Sequence, residues 1–426
     1  MLMALLGSWR VPELRKRILF TAGIIAIYRA GSYLPTPGVQ TDALKNFFGS
    51  GNNTILSVLN LFSGGALANL SLFALGIMPY ITASIILQLM TIAVPALEQL
   101  QKEGEAGYKK ITQYTRYLTV LLAALQAAGY VFLFHNGSAL GASDLLPNLT
   151  VGRFLLIVAT LTAGTAMLMW LGELVTQRGI GNGMSLLIFA SIMTSAGTAV
   201  NAWLNGGTLE RLSLPIITIG ILVSVVFVNE GQRRIPIQYA KRMVGRRMTS
   251  GGSTYMPLRV NMAGVIPVIF AVAVLFFPPT VGQLFPSGAA HSFARFMAPG
   301  GYPATIFEFF LVIAFTFFYT AVTFNPVDQA DNLKKNGGFI PGVRPGRPTA
   351  NYLDRVLTRL TFPGALFLGV IAILPNIFIR FGGFSQATAR GLGGTSILIV
   401  VGVALDIMRQ MESQLTMRHY EGFLSK

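Results

Sequence analysis

Long apolar runs separated by short polar connections repeat along this chain. Runs able to cross roughly 30 Å of hydrocarbon fall at 18–34, 70–94, 117–134, 154–174, 184–204, 212–229, 260–277, 304–324, 360–379 and 395–411. The pattern predicts an all-α polytopic membrane protein with ten transmembrane helices. One further apolar stretch, 55–68 (ILSVLNLFSGGALA), is too short to span. Ser63-Gly64-Gly65 interrupts it, because glycine is a poor helix residue. A short apolar piece beside a full span suggests a re-entrant half-helix tucked into a protein cavity, since irregular backbone at depth must avoid lipid. Within a conduit such a piece acts as a stopper.

The spans also divide into two sets of five. The second span of the first set carries Gly76-Ile77-Met78-Pro79, and the second span of the other carries Gly264-Val265-Ile266-Pro267. Paired Gly/Pro interruptions at corresponding helices point to a translocation site between inverted repeats. Five spans per half give the halves opposite orientations. The expected division is 1–204, an external hinge at 205–211, and 212–426.

Composition agrees: 53% of the residues are hydrophobic and only 11% charged. The charges are unevenly placed. Twenty-five of the 32 Lys and Arg fall on the side of the termini and of the connections 229–260 and 325–359. By the positive-inside rule that side is cytoplasmic, so most of the net charge of +16 follows from topology rather than from nucleic-acid binding. The first span follows a basic start, as a secretory signal would. No small-x-small cleavage site follows it and nine more spans do, so it is expected to be retained.

Candidate chemistry is sparse. There are no cysteines, and His135, His291 and His419 lie outside the predicted spans. Arg29, Arg153, Glu173, Glu308 and Asp406 sit near span ends, and none of the predicted spans carries a charge at its middle. Proton or ion relays usually place such groups at depth. Gly179–Gly183 has the look of a phosphate loop, but it joins two membrane helices and reads as a tight turn. No cofactor, metal site or enzymatic activity is expected. A small-solute secondary transporter with inverted repeats remains the alternative to a protein-conducting channel. An intramembrane hydrolase lacks its nucleophile and carboxylate set.

Two connections exceed what joining helices requires. In 229–260, Ile235, Ile237 and Tyr239 alternate with polar residues, predicting a protruding hairpin with Lys241, Arg242, Arg246 and Arg247 near its tip. In 325–359, Gly337-Gly338, Pro341-Gly342 and Pro345-Gly346 are successive turn signals that present Arg344 and Arg347. Arginine suits carboxylate or phosphate, so an acidic protein surface or ribosomal RNA phosphates are the expected partners.

Ala74–Met90 (ALGIMPYITASIILQLM), Lys102–Gly107, Gln113–Tyr117, Gly179–Gly183, Val260–Phe270 (VNMAGVIPVIF), Gly338–Gly346 (GFIPGVRPG) and Gly393–Ser396 together resemble the SecY family, the channel subunits of the bacterial Sec translocon. The resemblance runs nearly the whole chain in consistent order. It implies a clamshell of two inverted halves in the bacterial inner membrane, passing unfolded polypeptides across or releasing hydrophobic segments into lipid. The implied pore ring is Ile77, Ile81, Met184, Ile188, Ile269 and Ile399, where Met184 replaces a usual isoleucine. The implied plug is roughly Ile55–Leu70, including Leu61, Phe62, Ser63, Gly64 and Gly65. The implied lateral gate, between spans 2–3 and 7–8, carries Thr82, Gln126 and Asn261. Arg344 falls at the position implied for the SecA motor, and 241–247 at the surface shared by SecA and the ribosome. SecE, SecG, SecA, ribosomes, signal peptides and lipid are the implied partners.

Overall fold

The computed structural model describes residues 11–37, 39, 60–135, 149–239, 242–244, 247–249, 253–282, 288, 292, 296–297 and 301–424. Helices occupy all ten predicted positions: α1 Pro12–Tyr33, α2 Met78–Ala93 followed by the short α3 Pro95–Lys102, α4 Glu105–His135, α5 Val151–Arg178, α6 Gly183–Leu204, α7 Thr208–Glu230, then α8 Ile266–Gly282, α9 Tyr302–Thr323, α11 Arg347–Phe381 and α13 Gly394–Leu424. The small helices α10 Pro326–Lys335 and α12 Gln386–Gly391 lie between them. Among the described residues seven helices are long and apolar enough to cross a bilayer unaided, or eight if the bent α2–α3 pair counts as one. The difference from ten has local causes. α1 carries Glu13, Arg15, Lys16, Arg17 and Arg29 in 22 residues. α8 is uncharged throughout but only 17 residues long.

Two spans start later than their apolar runs. Span 2 begins at Met78 rather than 70, and span 7 at Ile266 rather than 260. In each case a glycine with positive φ stands just before the helix, Gly76 at +59° and Gly264 at +63°. An L side chain is disfavoured there. The proline three residues later occupies the first helical turn, where its missing N–H leaves no bond unmade. The twin motif is therefore a twin helix start. α2 also ends early: the chain turns by 98° before Pro95, a residue that disfavours helix in the residue before it.

The two large connections fold together, which their separation in sequence conceals. Strands β1 Gln232–Tyr239 and β4 Ser253–Arg259 form the predicted hairpin, with Gln232 opposite Arg259 and Gln238 opposite Ser253. Strands β2 Arg242–Val244 and β3 Arg247–Thr249 pair beyond it. Strand β5 Gly338–Phe339, from the second connection, joins β1 on its other edge. Beneath the sheet, Ile235, Leu258, Ile340, Leu353, Val356 and Leu357 form one apolar cluster. Much of 325–359, expected as loop, is helical: α11 starts at Arg347 and runs in a polar turn before entering its apolar stretch.

Helix contacts define the frame of the site. α2 packs on α4, α4 on α5, α5 on α6, and α9 on α11. Between the first and last five spans, α8 touches α2 and α4 on one side, while α6 touches α7, α12 and α13 on the other. The connection 205–207 between α6 and α7 is short.

Candidate translocation path

All six residues of the expected ring are buried and belong to one hydrophobic cluster. Ile77 caps α2 and Ile81 stands one turn inside it. Met184 and Ile188 come from the first turns of α6, Ile269 from α8 and Ile399 from α13. The six thus come from four elements drawn from both sets of five spans. The start of α6 is fixed by Asn182, whose side-chain oxygen accepts from the N–H groups of Met184 and Ser185. Such a cap contributes about 1 kcal/mol. The methionine fits because α5 offers a glycine opposite: a Cβ on Gly172 would stand 2.5 Å from Met184 Sδ.

Four of these residues, Ile81, Met184, Ile188 and Ile269, line a cavity of about 790 Å³. Its remaining wall is polar, with Gln88, Gln113 and Gln177 among its residues. Arg116 of α4 and Glu173 of α5 also line it and pair through two hydrogen bonds, Nε to Oε1 at 2.9 Å and Nη2 to Oε2 at 2.5 Å. Sequence reading missed this pair, because 57 residues separate its members. Apolar constrictions of this kind can gate ion passage by dewetting.

The expected stopper lies against the apolar core. Residues 55–59 are outside the described residues; 60–62 are helical and 63–70 form successive turns. Gly64 and Gly65 both take positive φ, so the helix breaks where the sequence indicates. Phe62 and Ser63 are buried and Leu61 packs against the core cluster. The segment is bonded to α1 and α6 through Tyr28, Arg29 and Ser195.

Thr82, Gln126 and Asn261 are all buried, and α8 does pack on α2 and α4. The bonds given for Thr82 and Asn261 do not cross the seam, however. Thr82 donates to Met78 O one turn below, and Asn261 donates to Asn229 Oδ1 and Gly264 O. Within the second set of spans, Phe270 of α8 stands edge-on to Phe315 and Tyr319 of α9.

On the polar face, Arg344 and Arg347 are exposed. Thr349 Oγ1 donates to Arg344 O at 2.8 Å, closing the turn before α11. Arg242 and Arg247 lie on β2 and β3, where Arg242 faces Thr249 and Arg247 faces Val244. Lys241 and Arg246 lie outside the described residues. The glycine-rich turn 179–182 spends its N–H groups internally: Ile180 N–H donates to Thr21 Oγ1 and Gly181 N–H to Gln410 Oε1.

The SecY family profile matches residues 71–408. The chain belongs to the SecY family. The protein translocase subunit SecY of Streptomyces scabiei is 50% identical over 442 residues, covering all of both chains. That of Mycobacterium bovis is 49% identical over 440 residues, again covering both in full. Among solved structures, a protein-conducting channel aligns at a TM-score of 0.62 and 18% identity, covering 94% of this chain and 92% of that one. The SecY fold, two inverted sets of five spans, is thus the frame that surrounds the cavity and the buried residues that line it.

Proposed function

We propose that the chain is the channel-forming subunit of a protein translocase, not an enzyme. It passes unfolded secretory polypeptides across the membrane and lets hydrophobic segments leave sideways into lipid. One observation carries this reading most: Ile81, Met184, Ile188 and Ile269, from three helices drawn from both sets of five spans, line one cavity with the Arg116–Glu173 pair, and Ile77 and Ile399 are buried in the same apolar core. A ring of Ile77, Ile81, Met184, Ile188, Ile269 and Ile399 grips extended chain without selecting any one side chain. It closes dry when the chain has passed. Residues 61–65 serve as the plug, and the seam of α8 with α2 and α4 serves as the lateral gate, with Thr82, Gln126 and Asn261 buried beside it.

The energy for transport comes from partners. Arg344 and Arg347, held on a stiff turn, receive the ATPase SecA; the 241–247 hairpin is shared between SecA and the ribosome, whose RNA phosphates suit Arg242, Arg246, Arg247 and Lys241. SecE and SecG complete the complex, and signal peptides enter at the gate. The membrane is the bacterial inner membrane, with both termini cytoplasmic by charge bias. Of the three parts, 1–204 and 212–426 are the halves and 205–211 their hinge.

Reconstitution with SecE, SecA and ATP, followed by protease protection of a labelled precursor, tests the reading. The native chain should protect the precursor. Arg344→Glu should abolish ATP-driven protection while the protein stays inserted and folded. Undiminished protection by Arg344→Glu refutes the SecA assignment, and no protection by the native complex refutes the function itself.

A further inference from the structure

We propose that Tyr28 and Arg29 of α1, with Ser191 of α6, form a release latch for the plug: a grip whose donors each keep a second partner to turn to. The proposal rests on reading 60–70 as the plug.

The grip acts on main chain. Tyr28 Oη donates to Ser63 O at 3.1 Å, Arg29 Nη1 donates to Gly64 O at 3.1 Å, and Ser195 Oγ reaches Leu61 O at 3.4 Å. Tyr28 is fully buried and Ser63 nearly so, so their bond is shielded from water, while those of Arg29 and Ser195 are partly buried. Because carbonyls and not side chains are held, the position of the segment depends on α1 and α6 more than on the identity of its own residues.

Each donor also has a fallback. Tyr28 Oη lies 2.5 Å from Ser191 Oγ, and Ser191 Oγ can itself donate to Leu187 O at 2.9 Å. Two hydroxyl protons therefore face four acceptors, Ser63 O, Leu187 O and the two hydroxyl oxygens themselves. With the plug seated, the tyrosine proton points to Ser63 O and the serine proton to Tyr28 Oη or Leu187 O. With the plug gone, the tyrosine proton turns to Ser191 Oγ and the serine proton to Leu187 O. Arg29 likewise keeps Tyr33, whose hydroxyl accepts from Nη2 at 2.9 Å and whose ring lies 5.1 Å from the guanidinium carbon. Ser195 Oγ keeps Ser191 O. Stranding a buried donor is what makes breaking a hydrogen bond expensive. Here departure of the plug strands none of the three donors, and its own carbonyls pass to the water of the opened path.

The latch predicts opposite signs for two changes, which general misfolding does not produce. Losing the grip frees the plug: Tyr28→Phe with Arg29→Gln should raise the resting ion leak of reconstituted complex by about fivefold per bond lost, the equivalent of one net hydrogen bond. Losing only the fallback holds it: Ser191→Ala should leave the resting leak unchanged and slow precursor transport by about fivefold. Arg29→Lys, which keeps a donor, should behave as the native chain. The chain has no cysteine, so Leu61→Cys with Ser195→Cys reports seating directly through disulfide yield. That yield should fall in the Tyr28→Phe, Arg29→Gln background and stay high with Ser191→Ala.

Deletion of 60–67 in the same vesicles separates the two ideas. If the deletion leaks but the double substitution neither leaks nor lowers cross-linking, the latch is wrong and the plug stands. If the deletion does not leak, the plug reading fails and the latch with it. Should the double substitution fail to insert, Ser191→Ala decides alone: unchanged transport overturns the latch.

Discussion

The starts of α2 and α8 share one motif and one backbone geometry, yet their surroundings differ. Gly76 is enclosed: a Cβ there would stand 3.5 Å from Ser63 Cα and 3.7 Å from Phe62 O, and its N–H donates to Phe73 O. Gly264 has no atom within 4 Å of that point among the described residues. Beside it lies a polar cavity of about 180 Å³ lined by Asn261, Arg259 and Arg409. Asn261 Oδ1 is buried there with no hydrogen-bond partner among the described residues. Burial, with the Arg409 guanidinium close by, draws the Arg259 pKa below its ordinary value, a sign of crowded positive charge at that end. So the same break is a packed shoulder for the plug in one half and a loosely filled pivot in the other. Motion of the gate is expected to concentrate at the start of α8.

The largest effects test where the two halves should be alike. Ile81 and Ile269 each stand five residues after their glycine, are equally buried, and line the cavity of about 790 Å³ together. Ile81→Asn and Ile269→Asn each remove branched apolar surface and add an amide. Each should lower stability by about 2–4 kcal/mol and raise resting ion leak, to similar extents. Denaturation of the purified complex and ion flux in vesicles measure both. A leak from one variant only breaks the symmetry of the ring.

Where the halves differ, the glycines separate them. Gly76→Val and Gly264→Val both force an L residue into positive φ, a penalty of about 1–2 kcal/mol. Only at residue 76 does the new side chain also meet the plug. Gly76→Val should therefore add ion leak to its loss of stability, while Gly264→Val should lose stability alone. Equal leaks would show that residue 264 is as tightly enclosed as residue 76.

The spans were legible because apolar length is written directly in sequence, and the twin starts because Gly and Pro have fixed backbone meanings. The proposed ring rests on resemblance, and for Ile77 and Ile269 also on their place beside the breaks. What was hidden depends on contacts between distant residues. Tyr28 meets Ser63 at 35 residues' separation and Ser191 at 163, and nothing local marks any of the three. Strand β5 is two residues long, too short for an alternating pattern. The polar start of α11 read as loop because only its later, apolar part resembles a span. α1 shows the reverse: its charges weaken the apolar signal although the helix forms where expected.

The smallest expected effect bears most directly on the pivot. Thr82 of α2 donates to its own helix, so Thr82→Val keeps shape and loses a bond that is largely redundant with the backbone ladder. Its effect should stay below about 0.5 kcal/mol. Asn261→Leu is more complex. It removes two donations, to Asn229 Oδ1 and Gly264 O, each worth about 1 kcal/mol. It also removes the buried acceptor that has no partner, a gain of similar size. Net stability should therefore change by less than about 1 kcal/mol, while the tether that holds Gly264 O against the neighbouring turn is gone. The pivot loosens without the fold weakening. In vesicle transport, Asn261→Leu should pass a precursor with a shortened hydrophobic signal several-fold better than the native chain, and Thr82→Val should not. If both variants accept that precursor equally well, the two helix starts are equivalent hinges, and the difference in their packing has no bearing on the gate.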